Sequence, residues 1–155
     1  MVEADALPPL VQLLSSANID VAEQAVWAVG NIAGDHPKMR DRVLAQNALP
    51  LLCAFLERVA AEGKISPTRN GTWALSNLVR GKPQPQLKDV APAVPLLAKL
   101  LTLDDSEVQV MIGRVHCHCR PHWLHRHHHR LNHHHLLCRP TRAGRSRTSR
   151  TDRTR

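Results

Sequence analysis

The chain has 155 residues, of which 43% are hydrophobic and only 3% aromatic, so its core must be largely aliphatic. A formal net charge of +8 is typical of nucleic-acid-binding proteins, but the charge is unevenly distributed. Residues 1–110 carry ten basic and twelve acidic side chains, a net charge of −2. Residues 111–155 carry eleven arginines and one acid, a net charge of +10. Nucleic acid is therefore excluded as the expected partner of the body.

Targeting and redox signals point inside the cell. Residues 1–5 are acidic, unlike the basic and then apolar start of a signal peptide. No run approaches the ~18 apolar residues of a membrane span. The four cysteines form no evenly spaced disulfide framework. We expect no membrane partner and a location in the cytoplasm and nucleus.

Two landmarks recur along the chain. An Ala-Leu-Pro or Ala-Val-Pro segment begins at Ala6, Ala48 and Ala93, with spacings of 42 and 45 residues. A Trp-Ala-x-x-Asn segment begins at Trp27 and again 46 residues later at Trp73. These periods fall within the roughly 40–47 residues of armadillo and HEAT repeats.

Each unit is predicted to be helical. Pro8 and Pro9 suit the first turn of a helix. Asn18 or Asp20 can cap a second helix over residues 21–34. Its apolar row is Val21, Ala25, Val29 and Ile32, spaced to lie on one face.

The second unit repeats this plan. The sequence His36-Pro37 starts a short connecting helix, and a long helix follows around residues 48–56. Ser66-Pro67 opens a helix that is expected to run to Gly81. No stretch alternates enough to indicate a sheet.

The predicted fold class is all-α: a right-handed armadillo-repeat solenoid fragment of about two and a half repeats. Residues 1–110 would form the repeats, and residues 111–155 a His- and Arg-rich tail without order. Such units bury their apolar faces only by stacking, and at least about three are usually needed, so we expect a piece of something longer.

A polar row lies beside the apolar one on each tryptophan-bearing helix. In the first unit it is Gln24, Trp27, Asn31 and Asp35, spaced 3, 4 and 4 residues apart. In the second unit it is Asn70, Trp73 and Asn77. Stacked repeats would align these rows into one groove.

Such a groove is suited to an extended basic peptide. Asparagine amides offer both donors and acceptors to a peptide backbone. Tryptophan rings pack the stems of lysine and arginine, with a cation–π attraction on the ring face. Asp35 can pair with an ammonium group, or it can merely cap the connecting helix.

The segments at residues 23–35 and 69–83 resemble importin alpha repeats, and the resemblance covers residues 5–110. It implies a nuclear import adaptor that binds nuclear-localisation-signal cargo proteins and hands them to importin beta. By position, it implies peptide contacts from Gln24, Trp27, Asn31, Asp35, Asn70, Trp73 and Asn77. We expect this chain to lack the basic segment that recruits importin beta in this family. Arg80 is expected to be a surface or stacking residue and not a direct reader of the peptide.

The tail departs from this pattern. By analogy with Trp27, Val108 predicts a tryptophan near position 114, where the chain has Arg114. A frameshifted end is one explanation. The histidines and cysteines of the tail could bind Zn²⁺ or Cu²⁺, although their spacing matches no closed structural site. Its arginines could hold nucleic acid non-specifically, or fold back into the groove as a pseudo-substrate.

Other functions were weighed against peptide binding. The main alternative is a truncated or frameshifted product with no transport activity. Further alternatives are an armadillo scaffold for an acidic partner and a metal or nucleic-acid module centred on the tail. No enzymatic function is expected, because the body has no phosphate-binding glycine loop, nucleophile with a paired base, or spaced carboxylate pair. No cofactor and no metal site are expected.

Overall fold

The computed structural model describes residues 6–118, with side chains described as far as Gly113. Within that range the chain forms eight α-helices, one 3-10 helix and no strand, as the all-α prediction requires. In chain order these are α1 Leu7–Leu13, α2 Ile19–Asp35, α3 Pro37–Ala45, α4 Ala48–Ala61, α5 Ile65–Val79, α6 Leu87–Val90, the 3-10 helix Ala91–Ala93, α7 Val94–Leu100 and α8 Ser106–His118.

Local signals set the ends of the early helices. Proline occupies the first turn of α1, where a missing N–H removes no helical hydrogen bond. The Asn18 side chain caps α2 by accepting hydrogen bonds from the backbone N–H groups of Asp20 at 2.9 Å and Val21 at 3.4 Å. The cap of α3 is His36, whose Nδ1 accepts from the Lys38 N–H at 3.2 Å. Asp35 is therefore not the cap of the connecting helix.

The tryptophan-bearing helices α2 and α5 pack side by side, and α8 packs on the far side of α5. Two hydrogen bonds fix the register of α2 and α5. Asn70 donates to Glu23 near the helix starts, and Asn77 donates to the backbone carbonyl of Gly30 near the ends. Both pairs are 47 residues apart in sequence, so the two helices run parallel without slippage.

A single aliphatic core joins the repeats. Its largest fully buried apolar side chains are Leu14, Val26, Val29, Val43, Leu52, Phe55, Leu56, Val59, Leu75, Leu78 and Leu100. Burying each such leucine or phenylalanine contributes roughly 1.5–3 kcal/mol, so this shared interior is the main stabilising term. Between residues 6 and 118, no single helix has the length and apolarity to cross a bilayer. Only α3 and α4 taken together do, and they meet at a bend of 80°.

Three expectations need correction. Val21 was placed in the apolar row of α2, but its side chain is 39% exposed. Helix α5 ends at Val79, two residues before the predicted end at Gly81. The boundary after residue 110 falls inside α8, which continues to His118 and buries Ile112 to 5% exposure. Local composition changes at this point, whereas packing against α5 continues.

The expected disorder of the tail lies outside the described residues. The same holds for its metal-binding, nucleic-acid and pseudo-substrate alternatives, which rest on residues that the structure does not describe. They remain expectations from sequence.

Candidate peptide-binding groove

An open cleft lies at the C-terminal ends of α2 and α5. Its volume is about 470 Å³, and its lining residues are Asn31, Gly34, Asp35, Trp73, Asn77 and Arg80. Four of the seven predicted site residues are therefore brought together. Two of the four come from α2 and two from α5, because the repeat stacks the two polar rows.

Small residues on α2 seat the side chains of α5. A Cβ atom built on Gly30 would lie 2.5 Å from Cζ3 of Trp73, closer than any real contact allows. A Cβ atom on Gly34, one helical turn later, would lie 2.9 Å from Nδ2 of Asn77. Glycine at both positions thus lets the tryptophan and the asparagine approach the backbone of α2.

The two asparagines of the repeated motif have different environments. Asn31 is exposed, and its Nδ2 donates to the Trp27 carbonyl of its own helix at 3.0 Å. Asn77 is only 3% exposed, and its Nδ2 donates across the repeat to the Gly30 carbonyl at 3.0 Å. Within the described part of the chain, Oδ1 of Asn77 accepts no hydrogen bond. It is a buried acceptor at the border of the cleft that no hydrogen bond satisfies.

The remaining three predicted residues do not line the cleft. Trp27 is 58% exposed on α2, and Gln24 is exposed one turn before it. Asn70 is occupied by its 2.6 Å hydrogen bond to Oε1 of Glu23. A ligand that extends along α2 towards its N-terminus would reach Gln24 and Trp27, whereas Asn70 would have to release Glu23 first.

Sequence reasoning missed the support behind the cleft. Arg40 on α3 is only 1% exposed, and its Nη1 donates to the Arg80 backbone carbonyl at 2.8 Å. Its Nε and Nη2 atoms donate to Oδ1 of Asp41 at 2.9 and 2.7 Å. The guanidinium therefore anchors the chain as it leaves α5. Gly81 has a φ of 113°, and a Cβ atom at this position would lie 2.8 Å from Nη1 of Arg40, so glycine leaves room for the guanidinium.

The described residues offer little for catalysis or metal binding. Among residues 6–113, no group of three histidine, cysteine or acidic side chains is placed to hold a metal ion. Cys53 is a free thiol on α4. Burial and then the nearby Glu57 carboxylate raise its pKa to about 11, so it is protonated at neutral pH and a poor nucleophile.

Comparison with known proteins agrees with this architecture. The family model for the armadillo/beta-catenin-like repeat matches residues 1–34. A designed armadillo repeat protein solved in complex with the peptide (KR)4 is similar in structure, with a TM-score of 0.62 and 29% sequence identity. The match covers 74% of this chain and 46% of that one. An engineered protein matches with a TM-score of 0.59 and 25% identity, over 70% of this chain and 43% of its own.

Several importin alpha subunits are similar to this chain in sequence. Importin subunit alpha-2 of Arabidopsis thaliana is 52% identical over 109 residues, and importin subunit alpha-1b of Oryza sativa subsp. japonica is 51% identical over 109 residues. Each match covers 70% of this chain and 20% of the relative, so the chain spans about a fifth of their length. The armadillo repeats of this chain therefore belong to the importin alpha family.

Proposed function

We propose that this chain binds extended basic peptides of the nuclear-localisation type in the cleft between α2 and α5. The observation that carries the proposal is the convergence of Trp73, Asn31, Asn77 and Asp35 on one open cleft. The similarity of the chain to importin alpha subunits, and to a designed armadillo repeat protein solved with (KR)4, supports the same ligand class.

Each of these side chains offers one kind of contact. The ring of Trp73 is partly buried against Gly30 and presents its remaining surface to the stem of a lysine or arginine. The carboxylate of Asp35 is exposed, and it has no hydrogen-bond or ion-pair partner within residues 6–113. It is available to a ligand ammonium group. The two asparagine amides supply donors and an acceptor for peptide backbone groups.

The wider role follows from the family. As part of a nuclear import adaptor, the chain would bind cargo proteins in the cytoplasm, pass them to importin beta and accompany them into the nucleus. The adaptor itself would catalyse no reaction. The chain spans about a fifth of the length of these relatives, so other parts of an adaptor would supply its remaining contacts.

The test is a titration of the full 155-residue chain into fluorescein-labelled (KR)4, followed by fluorescence anisotropy. A peptide of the same length with glutamine in place of every basic residue is the ligand control. We expect saturable binding of (KR)4 that weakens with salt, because exposed charge pairs are screened. The cationic tail repels this peptide, so it cannot be the source of binding.

Three substitutions locate the site. Asn77→Ala, Asn31→Ala and Asp35→Ala should each weaken binding, and Asp104→Ala should not, because Asp104 is an exposed acid that lies outside the cleft. Circular dichroism must show unchanged helix content in all four variants. Absence of saturable binding by a folded wild-type chain would refute the proposal and favour the alternative of a product without transport activity.

A further inference from the structure

The cleft contains two charges of opposite sign. Asp35 ends α2, and Arg80 follows the end of α5. Both line the same open cleft, as does Asn77. The repeat offset of 46 residues places Arg80 where the first unit has Gly34, and Gly81 where it has Asp35. The two units therefore differ at the positions that set the charge of the cleft.

Neither charge is neutralised by a side chain of the part of the chain that the structure describes. Across the described side chains, Asp35 and Arg80 form no ion pair with each other or with another residue. The carboxylate of Asp41 is already bound to two nitrogen atoms of Arg40. The backbone at Arg80 is held by the hydrogen bond from Arg40 to its carbonyl. A guanidinium group on an anchored residue is thus available to a ligand.

The places of Asp35 and Arg80 in the cleft decide which ligand side chains each of them favours. An arginine in the same cleft as Asp35 is favourable to a carboxylate, which it can hold with two parallel hydrogen bonds, and unfavourable to a second cation. A ligand with basic side chains at every position would put one of them near Arg80. A ligand with a basic side chain at Asp35 and an acidic one at Arg80 would satisfy both groups.

We propose that Arg80 is a specificity-determining residue, which selects basic peptides that carry an acidic side chain beside the basic cluster. This inference rests on the proposed function, since it assumes that a basic peptide occupies the cleft. It adds that uniformly basic peptides are not the preferred ligands.

The experiment compares three labelled peptides that share one lysine-rich core. They carry glutamate, glutamine or lysine at one flanking position, and both flanks are tried in separate sets. Each is titrated against the full chain and against Arg80→Glu, Arg80→Gln and Lys82→Glu. Lys82 is the matched control, because it is exposed in the same loop, does not line the cleft and changes the net charge equally.

On one flank, the wild-type chain should bind the glutamate peptide about three- to fivefold more tightly than the lysine peptide at low salt, as expected for a solvent-accessible pair. Arg80→Glu should reverse that order, and Arg80→Gln should abolish it. Lys82→Glu should strengthen binding of all three peptides without changing their order.

Two failures are distinguishable. If the wild-type chain binds the glutamine peptide but ranks glutamate and lysine equally on both flanks, this inference is overturned and the proposed function stands. The same conclusion follows if Lys82→Glu reverses the order as Arg80→Glu does. If no peptide binds the folded wild-type chain, the proposed function fails and this inference fails with it.

Discussion

The indole of Trp73 lies against the backbone of α2 at Gly30, where an added Cβ would stand 2.5 Å from Cζ3 of the ring. The Cβ added at Gly30 would also be 2.9 Å from Cβ of Ala74. Both obstacles lie on α5, whose register against α2 is fixed by side-chain hydrogen bonds. The contact therefore couples the stability of the repeat pair to the position of a cleft residue.

Overpacking at Gly30→Ala should cost about 1–3 kcal/mol. Alanine gains roughly 1 kcal/mol over glycine inside a helix, so the net destabilisation should be up to about 2 kcal/mol. Chemical denaturation followed by circular dichroism measures the change. Gly113→Ala on α8 is the control, because no atom lies within 4 Å of its added Cβ. It should leave stability unchanged or raise it, and equal losses in both variants would contradict the proposed contact.

Arg40→Met should lower the free energy of unfolding by about 2 kcal/mol, since hydrogen bonds to charged groups contribute roughly 1.5–3 kcal/mol. Methionine keeps much of the volume but leaves the Arg80 carbonyl without its donor. Lys38→Met on the same helix is exposed and should change stability little. A variant of Arg40 with wild-type stability would show that this buried guanidinium is not an anchor.

Ile112→Ala tests how far the repeat body extends. Ile112 is 5% exposed, so its truncation should destabilise the full chain by about 2–4 kcal/mol. Val110→Ala, two residues earlier on the same helix, should have little effect because Val110 is 40% exposed. Thermal unfolding measures the midpoint temperature of both variants. An equal fall in the two midpoints would contradict the packing of Ile112 on α8 into the core.

Asp105 should make stability depend on pH in the acidic range. The Val108 backbone N–H, and then the Arg69 side chain, lower the pKa of the Asp105 carboxyl in the folded chain. The stability from its ionised form is therefore complete above its unfolded pKa of about 4 and is lost as pH falls through the lower folded value. The stability difference between wild type and Asp105→Asn should be largest near neutral pH and should shrink near pH 2.

Arg69→Met provides the control for this dependence. It removes the hydrogen bonds of 3.0 and 2.9 Å from Arg69 to Asp105, but it leaves the 3.0 Å bond from the Val108 N–H. The pH dependence should therefore be reduced and not abolished. Urea unfolding at several pH values measures both variants, and a difference that does not vary with pH would argue against the role of Asp105.

Much of the fold could be predicted because its signals are local. Asn18 starts α2 through its own side chain, and proline marks the first turns of α1 and α3. The spacing of Trp27 and Asn31 placed both on one face of a helix, and the structure has them on α2. Armadillo periodicity then implied which helices stack.

The environment of each site residue could not be predicted, because it depends on the neighbouring repeat. The same Trp-x-x-x-Asn motif gives an exposed Trp27 and a partly buried Trp73. The ring of Trp73 packs against Gly30 of the other unit. Arg80 lines the cleft, whereas the sequence predicts a surface or stacking residue at this position. No local pattern reports that Arg40 is buried beneath it.

The shared separation of 47 residues between Glu23 and Asn70 and between Gly30 and Asn77 restricts where the chain tolerates a change of length. One residue inserted between Asn70 and Asn77 would rotate Asn77 by about 100° around α5 relative to Asn70. If the insertion precedes Ser76, that serine would take the place of Asn77. One residue inserted in the loop before α5 would leave this face intact. Length variants of this protein should therefore be confined to its loops, and any insertion within α5 should remove binding before it removes helix.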